Sequence, residues 1–349
     1  MNGLKRLLVA LTLSLGCAAS AMAQDPSDPP SDTAYAPGEY RVFTGDGDPS
    51  SIDDLVAAMG PHSVVFIGET HDDPTGHLLE KVLLERAWAA YGPPARAEGG
   101  TARPVALSLE FFQRDVQPIL DEYLEGLITE ESFRNDSRPW PRYETDYRPL
   151  IEFSKENGLD VIAANAPRRY VTRVTRHGRE SLRDLGPRAL ESLPPLPYGQ
   201  PSEAYRNQWI QVISEVMEQE GTRCGVPVDN PPAPPGSHAN MGNQLHSQVL
   251  WDATMAWSVA RYLESHPDAL VVHMVGGFHV ARGTGIPEHL ETYRPGASYM
   301  IVMLRPVEDI DAFEPAPEGR WGDYVIQTDG SRTLEAIECR EFRREHGGS

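Results

Sequence analysis

The chain has 349 residues, of which 40% are hydrophobic and 23% are charged, a composition typical of a folded globular protein rather than a disordered one. Its formal net charge of −20 disfavours a nucleic-acid-binding surface and gives no attraction to an anionic membrane, because an acidic protein repels both. The length allows one large α/β domain or a core with added elements.

The first residues have the pattern of an export signal. Two basic residues precede an apolar run, residues 7–15, that is too short to span a bilayer, and an A-x-A cleavage motif ends at Ala23. The sequence therefore predicts a signal peptide over residues 1–23 and export to the periplasm. A competing interpretation is lipid attachment at Cys17, which would make the protein a membrane-anchored lipoprotein.

A polar, proline-rich stretch follows the predicted signal. Residues 24–39 have no hydrophobic periodicity and are predicted to be a flexible leader, with a single folded domain over residues 40–349. Two cysteines remain in that domain, Cys224 and Cys339. An exported chain could join them, but the sequence leaves open whether they pair.

Residues 64–71, VVFIGETH, form an apolar run that ends in a glycine, a carboxylate and an imidazole. A short apolar run bounded by glycine is typical of a strand buried on both faces of a parallel sheet. Glu69 and His71 would then lie where this strand ends. A helix is expected to begin at the acidic pair before Pro74. Its predicted apolar stripe consists of Leu78, Leu79, Val82, Leu83 and Ala87.

Two further apolar runs predict strands in the first half of the chain. Residues 105–109 end directly at Glu110, which is either a strand-end carboxylate of a site or the first residue of the next helix. Residues 159–164 form the other predicted strand. Helical patterns and proline-rich breaks fill much of residues 111–240, and we expect them to form a helical lid inserted between the strands, with Trp140 as a pocket wall.

A long helix is predicted over residues 241–264. Its apolar stripe contains a carboxylate, Asp252, and consists otherwise of Leu245, Val249, Ala256 and Leu263. Burying an unpaired carboxylate costs several kcal/mol, so Asp252 should have a partner. That partner is either part of a functional site or an arginine such as Arg168 in a structural ion pair.

Residues 271–279, VVHMVGGFH, repeat the pattern of residues 64–71 and end in a second G-x-x-H motif at His279. The carboxyl ends of parallel strands meet at one edge of a sheet, where ligands bind in open α/β folds. We therefore expect His71 and His279 to lie close together. A fifth strand over residues 299–304 completes the predicted fold: α/β, with a mostly parallel central sheet flanked by helices and a helical lid inserted between strands.

The predicted edge carries nitrogen and oxygen ligands suited to acid–base or metal chemistry. We predict Glu69, His71, Glu110 and His279 as catalytic residues, and His71, Glu110, His279 and Asp252 as ligands of a divalent metal. Such a metal would lower the pKa of bound water and create a hydroxide nucleophile. In a metal-free version, His71 takes a proton from water while Glu69 or Glu110 orients its imidazole. Serine hydrolase, zincin and P-loop motifs do not occur in the sequence.

The order of these motifs resembles that of the ChaN family of haem-binding uptake proteins, part of the superfamily that also holds Tiki proteases and erythromycin esterases. The resemblance runs from about Ser63 to Leu304. Its motifs are Gly68-Glu69-Thr70-His71-Asp72 with His77, Leu109-Glu110, Tyr147-Arg148-Pro149-Leu150, Asn165-Ala166-Pro167-Arg168, Asp252 with Met255-Ala256, and Gly276-Gly277-Phe278-His279.

The resemblance implies an exported haem-binding protein of haem or iron uptake. In that family haem is held by tyrosine ligation between subunits, which implies a homodimer and an outer-membrane or receptor partner. The tyrosines in pocket-like or lid segments are Tyr143, Tyr147, Tyr198 and Tyr205, and none is assigned as the ligand. Superfamily relatives use the equivalents of Gly68, His71, Glu110, Gly276 and His279 as a hydrolytic centre. The alternative function is therefore a metal-dependent hydrolase of an ester or peptide bond, acting on a small-molecule substrate.

Overall fold

The computed structural model describes residues 40–97, 99–218, 222–224, 226–227 and 241–346. The predicted signal peptide, the leader and Cys17 lie outside these residues, as do residues 228–240 of the predicted lid. The export and lipidation predictions therefore stay predictions.

The described part of the chain contains a sheet of eight strands and a separate two-stranded hairpin. The strands are β1 (Tyr40–Thr44), β2 (Pro49–Ser50), β3 (Val64–Glu69), β4 (Val105–Gln113), β5 (Val161–Asn165), β6 (Thr222–Arg223), β7 (Val226–Pro227), β8 (Leu270–Gly276), β9 (Tyr299–Val307) and β10 (Tyr324–Asp329). The sheet order is β2-β1-β10-β9-β3-β8-β4-β5, and β6 pairs with β7. Strands β10 to β5 in this order run parallel, whereas β1 and β2 are antiparallel at one edge.

Helices cover both faces of the sheet. They are α1 (Ile52–Ala58), α2 (Pro74–Tyr91), α3 (Pro93–Ala97), α4 (Gln117–Leu124), α5 (Glu130–Ser137), α6 (Arg148–Asn157), α7 (Arg168–His177), α8 (Pro187–Leu190), α9 (Glu203–Glu218), α10 (Met241–Ser265), α11 (Ile286–Tyr293) and α12 (Leu334–His346). A π-helical turn, Tyr143–Tyr147, precedes α6, and a 3₁₀ turn, Gly277–His279, follows β8. Of the described helices, none is both long and apolar enough to cross a membrane.

The predicted α/β fold class is confirmed. The five predicted strands are β3, β4, β5, β8 and β9, and they occupy adjacent positions in the sheet. The prediction missed β1, β2 and β10, which form the other edge. β1 and β2 are short and contain polar residues, and β10 has only Val325 and Ile326 before Gln327, Thr328 and Asp329. These strands therefore lack the continuous apolar run that identifies a fully buried strand.

Alternate side chains of the central strands point to opposite faces of the sheet. Val65 packs in one apolar cluster with Leu83 of α2, whereas Val64 packs in a second cluster with Val259 of α10. Both faces of the central sheet are therefore covered by apolar side chains that exclude water. This is why β3 and β8 contain almost no polar residues until they reach the carboxyl-terminal edge.

Helix α2 begins where the sequence predicts, but its buried face differs from the predicted stripe. Asp73 is the N-cap and accepts a hydrogen bond from the Thr75 N–H, and Pro74 occupies the first turn. Leu78 is exposed at 37%. The buried face instead includes His77 and Glu80, which is a correction to the predicted stripe.

Two predictions about the segments around the sheet can now be resolved. Glu110 does not start a helix: it lies within β4, which continues past a register irregularity to Gln113. The helical additions begin after β4, at Arg114, within the range 111–240 in which they were expected. In α10 the predicted stripe is buried throughout, including Asp252.

The C-terminal helix α12 is fastened at two points. The Leu334 N–H donates to the Asp72 carbonyl, and the Glu335 N–H donates to the Asp72 carboxylate at 3.0 Å. Further along the same helix, Cys339 forms a disulfide with Cys224, which adjoins the β6–β7 hairpin. The pairing that the sequence left open is thus made in the structure.

We expect the disulfide to contribute measurably to stability. It joins residues 115 positions apart, so its loss would free a long loop in the unfolded chain. Replacing both cysteines with serine should lower the free energy of unfolding by about 2–5 kcal/mol in urea denaturation. A reductant should weaken the wild-type protein and leave the double variant unchanged. Equal stability of the two oxidised proteins would contradict this expectation.

Candidate functional site

Three neighbouring parallel strands bring the predicted site residues to one edge of the sheet. Strand β8 lies between β3 and β4, with Glu69 in register with Gly276. His71 follows β3 by two residues, and His279 closes the turn after β8. Glu110 lies in β4, on the other side of β8. Both histidines and their acidic neighbours therefore lie at a common edge of the sheet, as the sequence led us to expect.

Glu69 and His71 form a hydrogen-bonded pair. Glu69 Oε1 accepts from His71 Nδ1, which leaves His71 Nε2 as the nitrogen with a lone pair. The imidazole lies over the backbone of Gly276. A Cβ at that position would be 3.0 Å from His71 Cε1 and 3.1 Å from Nε2, so the close approach depends on glycine.

Glu110, His279 and Asp252 form a second chain of contacts. Glu110 Oε2 accepts from the Gly276 N–H at 2.8 Å, and Glu110 Oε1 lies 3.6 Å from His279 Nε2. On the other side of the ring, Asp252 Oδ1 accepts from His279 Nδ1 at 2.5 Å. His279 is therefore the partner that the buried Asp252 requires. Arg168 was the alternative partner considered from the sequence.

The two histidines have opposite pKa shifts. Burial lowers the pKa of His71 to about 4, because its desolvation outweighs the attraction of Glu110. Burial also acts to lower the pKa of His279, but the charges of Asp252 and Glu110 outweigh it and raise the value to about 9. At neutral pH His71 is therefore a neutral base and His279 a cation.

A second cluster of ionisable side chains, which was not predicted from the sequence, contacts Glu69 on the side of α2. We call it the rear cluster. His77 Nδ1 is 3.0 Å from both Glu69 Oε2 and Glu80 Oε2, and His77 Nε2 is 3.5 Å from Asp146 Oδ2. Arg142 bonds to Asp146 and also donates to the His71 carbonyl. These groups tie the buried face of α2 and the π-helical turn to the predicted site.

Burial shapes the charges in this rear cluster. It raises the pKa of Glu69 to about 7 and that of Glu80 to about 8. The carboxylates of Glu69 and Glu80 raise the pKa of His77 well above its ordinary value, overcoming the opposite effect of burial. A sequence signal for the cluster exists: His77 and Glu80 are three residues apart, and Glu80 shares its buried helix face with Leu84 and Ala87.

The residues predicted as metal ligands are only partly arranged as a metal site. His71, Glu110, His279 and Asp252 lie at one edge, but Asp252 and Glu110 face different nitrogens of His279. Among the residues that the structure describes, a group whose ligand atoms all lie within 4.8 Å of one another is Glu69, His77 and Glu80. The roles predicted for the quartet stay predictions.

A cleft of about 430 Å³ opens beside His71. Its lining includes aromatic rings and four arginines: His71, Gln113, Arg138, Pro139, Trp140, Pro141, Arg142, Tyr147, Arg168 and Arg169. Trp140 lies edge-on to His71 with ring centroids 5.0 Å apart, so it forms a pocket wall as predicted. Tyr147 also lines the cleft, whereas the other candidate tyrosines, Tyr143, Tyr198 and Tyr205, are buried elsewhere in the core.

A sequence model of the family described as haem-binding uptake, Tiki superfamily, ChaN matches residues 55–290. Among curated proteins, RETICULATA-RELATED 5, a chloroplastic protein of Arabidopsis thaliana, is 24% identical over 210 residues. That match covers 58% of this chain, and the chain spans about a quarter (26%) of the plant protein's length.

Solved structures with a similar fold include ChaN of Campylobacter jejuni, described with cofacial haem binding. It is 14% identical with a TM-score of 0.56, and the match covers 83% of this chain and 97% of that one. An erythromycin esterase mutant, EreC in its open conformation, is 11% identical with a TM-score of 0.39, covering 83% of each chain.

We expect the contact between His71 and Gly276 to be sensitive to one methyl group. Gly276→Ala places a Cβ 3.0 Å from His71 Cε1 and 3.4 Å from Glu110 Oε2, so the His71 ring must shift away from its contact with Glu69. The free energy of unfolding should fall by about 1–3 kcal/mol in urea denaturation. Gly186→Ala is the control for open space, because its Cβ would meet nothing within 4 Å; its cost should be limited to the N-cap preference at the short helix α8. Equal effects of the two substitutions would argue against a tightly packed edge.

Proposed function

Because the chain belongs to the family described as haem-binding uptake, Tiki superfamily, ChaN, we propose that it is an exported protein that binds haem for haem or iron uptake. The observation that carries the proposal is the cleft beside His71, where aromatic rings and guanidinium groups face one space. Its volume is in the range of small-molecule and cofactor sites.

The lining of the cleft suits the two parts of a haem molecule. Haem has a flat apolar ring, which the half-buried Trp140 can contact, while Tyr147, 1% exposed and stacked on Phe111, supports the wall from behind. It also carries two propionate groups, which arginine binds through paired hydrogen bonds. Four guanidiniums line this cleft in a chain whose formal net charge is −20. Positive charge is therefore concentrated where an anionic ligand would enter.

Two of these arginines share one carboxylate. Arg138 NH2 lies 2.8 Å from Asp115 Oδ1, and Arg169 NH1 bonds to Asp115 Oδ2. This shared aspartate holds two guanidiniums, one from the residue that ends α5 and one from α7, at the same rim of the cleft. Arg142 is engaged with Asp146 and the His71 carbonyl, so it has a structural part in the site as well.

No residue of the cleft is assigned as an iron ligand. Tyr147 is the tyrosine of its lining, but burial, with the charges of Glu69 and Glu80, raises its pKa well above the ordinary value. A phenolate at this position is therefore disfavoured at neutral pH. When bound, haem would supply iron chemistry, while the described residues bind its ring and its propionates.

The disulfide supports the proposed export. Disulfides persist in oxidising compartments such as the periplasm and are rare in the cytosol. The signal peptide over residues 1–23, or anchoring through Cys17, remains the proposed route. A homodimer and an outer-membrane or receptor partner are proposed on family resemblance alone.

Haemin titration followed by the Soret band tests the haem proposal. Arg138→Gln combined with Arg169→Gln removes two charge-assisted contacts, each worth about 1.5–3 kcal/mol, so affinity should fall about 100-fold or more. Arg183→Gln is the matched control, since Arg183 is 67% exposed and pairs with Glu180. His279→Ala should also change haemin affinity little. If the double arginine variant bound haemin as tightly as the wild type, this cleft would not be the haem site.

A second candidate function is hydrolysis of an ester or peptide bond, with or without a divalent metal. The observation that favours it is the pair of histidines with carboxylate partners at one sheet edge. His71 is oriented by Glu69 through Nδ1, and His279 is held between Asp252 and Glu110. The surroundings lower the pKa of His71 and raise that of His279, so the first is suited to act as a base and the second as an acid.

The proposed roles follow from which nitrogen each histidine presents. His71 Nε2 would take a proton from water as the water attacks a carbonyl carbon. His279 Nε2–H would donate a hydrogen bond to the developing oxyanion and then a proton to the leaving group. Glu110 binds the Gly276 N–H and lies beside His279, so it fixes the donor and favours its cationic form.

Hydrolysis predicts a bell-shaped pH profile for turnover of an activated aryl ester. Activity should fall below pH about 4, where His71 is protonated, and above pH about 9, where His279 loses its proton. His71→Ala or Glu110→Ala should lower kcat/KM at least about 100-fold. Arg183→Gln is the comparison and should leave kcat/KM unchanged, because Arg183 is exposed and pairs with Glu180. Turnover that survives loss of His71 would refute this second candidate.

A further inference from the structure

The buried group behind Glu69 has the arrangement of ligands around a small cation. His77 and Glu80 lie three residues apart on one face of α2, and Glu69 reaches them from the end of β3. His77 Nδ1 is 3.0 Å from an oxygen of each carboxylate. All three residues are at most 5% exposed. Two carboxylates thus converge on one imidazole nitrogen away from solvent.

The distances are close to those a metal ion requires. Zinc bonds to imidazole nitrogen and carboxylate oxygen are about 2.0–2.2 Å, so ligand atoms at tetrahedral angles lie about 3.4 Å apart. The separations at His77 Nδ1 need to lengthen by only about 0.4 Å to admit such an ion. Small side-chain rotations of Glu69 and Glu80 would be enough.

The outer contacts of the group are those that orient metal ligands. A histidine that binds a metal through one nitrogen almost always donates its other N–H to a carbonyl or carboxylate. His77 Nε2 donates to the His71 carbonyl at 3.0 Å, with Asp146 Oδ2 beyond it at 3.5 Å. Glu69 Oε1 is likewise held by His71 Nδ1. His77 and Glu69 therefore each keep one atom oriented and turn another toward the same point.

Two carboxylate oxygens in the group accept no hydrogen bond within the described part of the chain: Glu69 Oε2, which lies 3.0 Å from His77 Nδ1, and Glu80 Oε1. Glu80 Oε1 is fully buried. Leaving a buried carboxylate oxygen without a partner costs free energy, which a bound cation would recover. Glu85, on the same helix, contrasts with it: its carboxylate is exposed and paired with Lys81.

We propose that Glu69, His77 and Glu80 form a buried site for one divalent first-row transition metal ion, separate from the His71–His279 edge. One imidazole and two carboxylates suit Zn²⁺, Mn²⁺ or Fe²⁺, and the absence of thiolate from this set disfavours ions that require sulfur. Binding exchanges the proton on His77 Nδ1 for the ion, and that proton leaves to solvent. Glu69 then connects the metal to His71, so the ion would position His71 without touching a ligand in the cleft.

Metal binding to the chelator-treated full chain, with no haemin present, tests the proposal. The probes are Zn²⁺, Mn²⁺ and Co²⁺, read out by elemental analysis after dialysis, by the rise in melting temperature and, for Co²⁺, by the visible spectrum. We expect about one ion per wild-type chain. Glu80→Gln should weaken binding by at least the roughly 10–100-fold that loss of even an outer partner causes.

Two controls separate this site from the predicted quartet. Glu110→Gln removes a carboxylate from the His71–His279 edge and should leave metal affinity unchanged. Glu80→Gln is close in shape to a protonated glutamate, so the metal-free variant should melt near the metal-free wild type. If Glu80→Gln does not fold stably, His77→Gln is the second variant for the binding measurement.

Three outcomes would overturn the proposal. They are stoichiometric binding that survives Glu80→Gln, binding abolished by Glu110→Gln instead, and no binding to the wild type. Haemin affinity is measured separately, so failure of the metal proposal leaves the haem proposal standing and the reverse is also true.

Discussion

A single buried carboxylate, that of Glu69, holds the site together. One of its oxygens bonds to His71 and the other faces His77, so two imidazoles from different parts of the fold share one acid at the end of β3. Isolated buried charge is costly, and only such sharing makes it tolerable. Glu69 is therefore the direct contact between the cleft in front and the rear cluster behind.

The sheet gives this site its rigidity. Strands β3, β8 and β4 are hydrogen-bonded side by side and packed on both faces, so the residues at their ends have little freedom to separate. The Gly276 N–H also binds Glu110, and the missing side chain at that position gives the His71 ring its space. A preorganised edge of this kind suits either of two uses: it can stabilise charge during a reaction or fix the wall of a ligand cleft.

The sequence predicted those parts of the molecule that are encoded locally. The repeated G-x-x-H runs identified both histidines. Because Asp252 lies within the apolar stripe of α10, the sequence also predicted that this carboxylate has a partner. The rear cluster was missed because the stripe of α2 was read from Leu78, which is exposed, and not from Glu80. The cleft depends on long-range packing: Arg138 precedes α6 and Arg169 lies on α7, and only the fold brings both to Asp115.

Asp72 and Asp73, the two residues after His71, hold elements from the far end of the chain. Asp72 caps α12, and Asp73, which is fully buried, accepts a hydrogen bond from Thr328 of β10. The loop that carries His71 is thus closed by residues more than 250 positions away in sequence. Removing α12 would consequently release contacts that hold the loop carrying His71, so a chain meant for ligand assays should keep this helix.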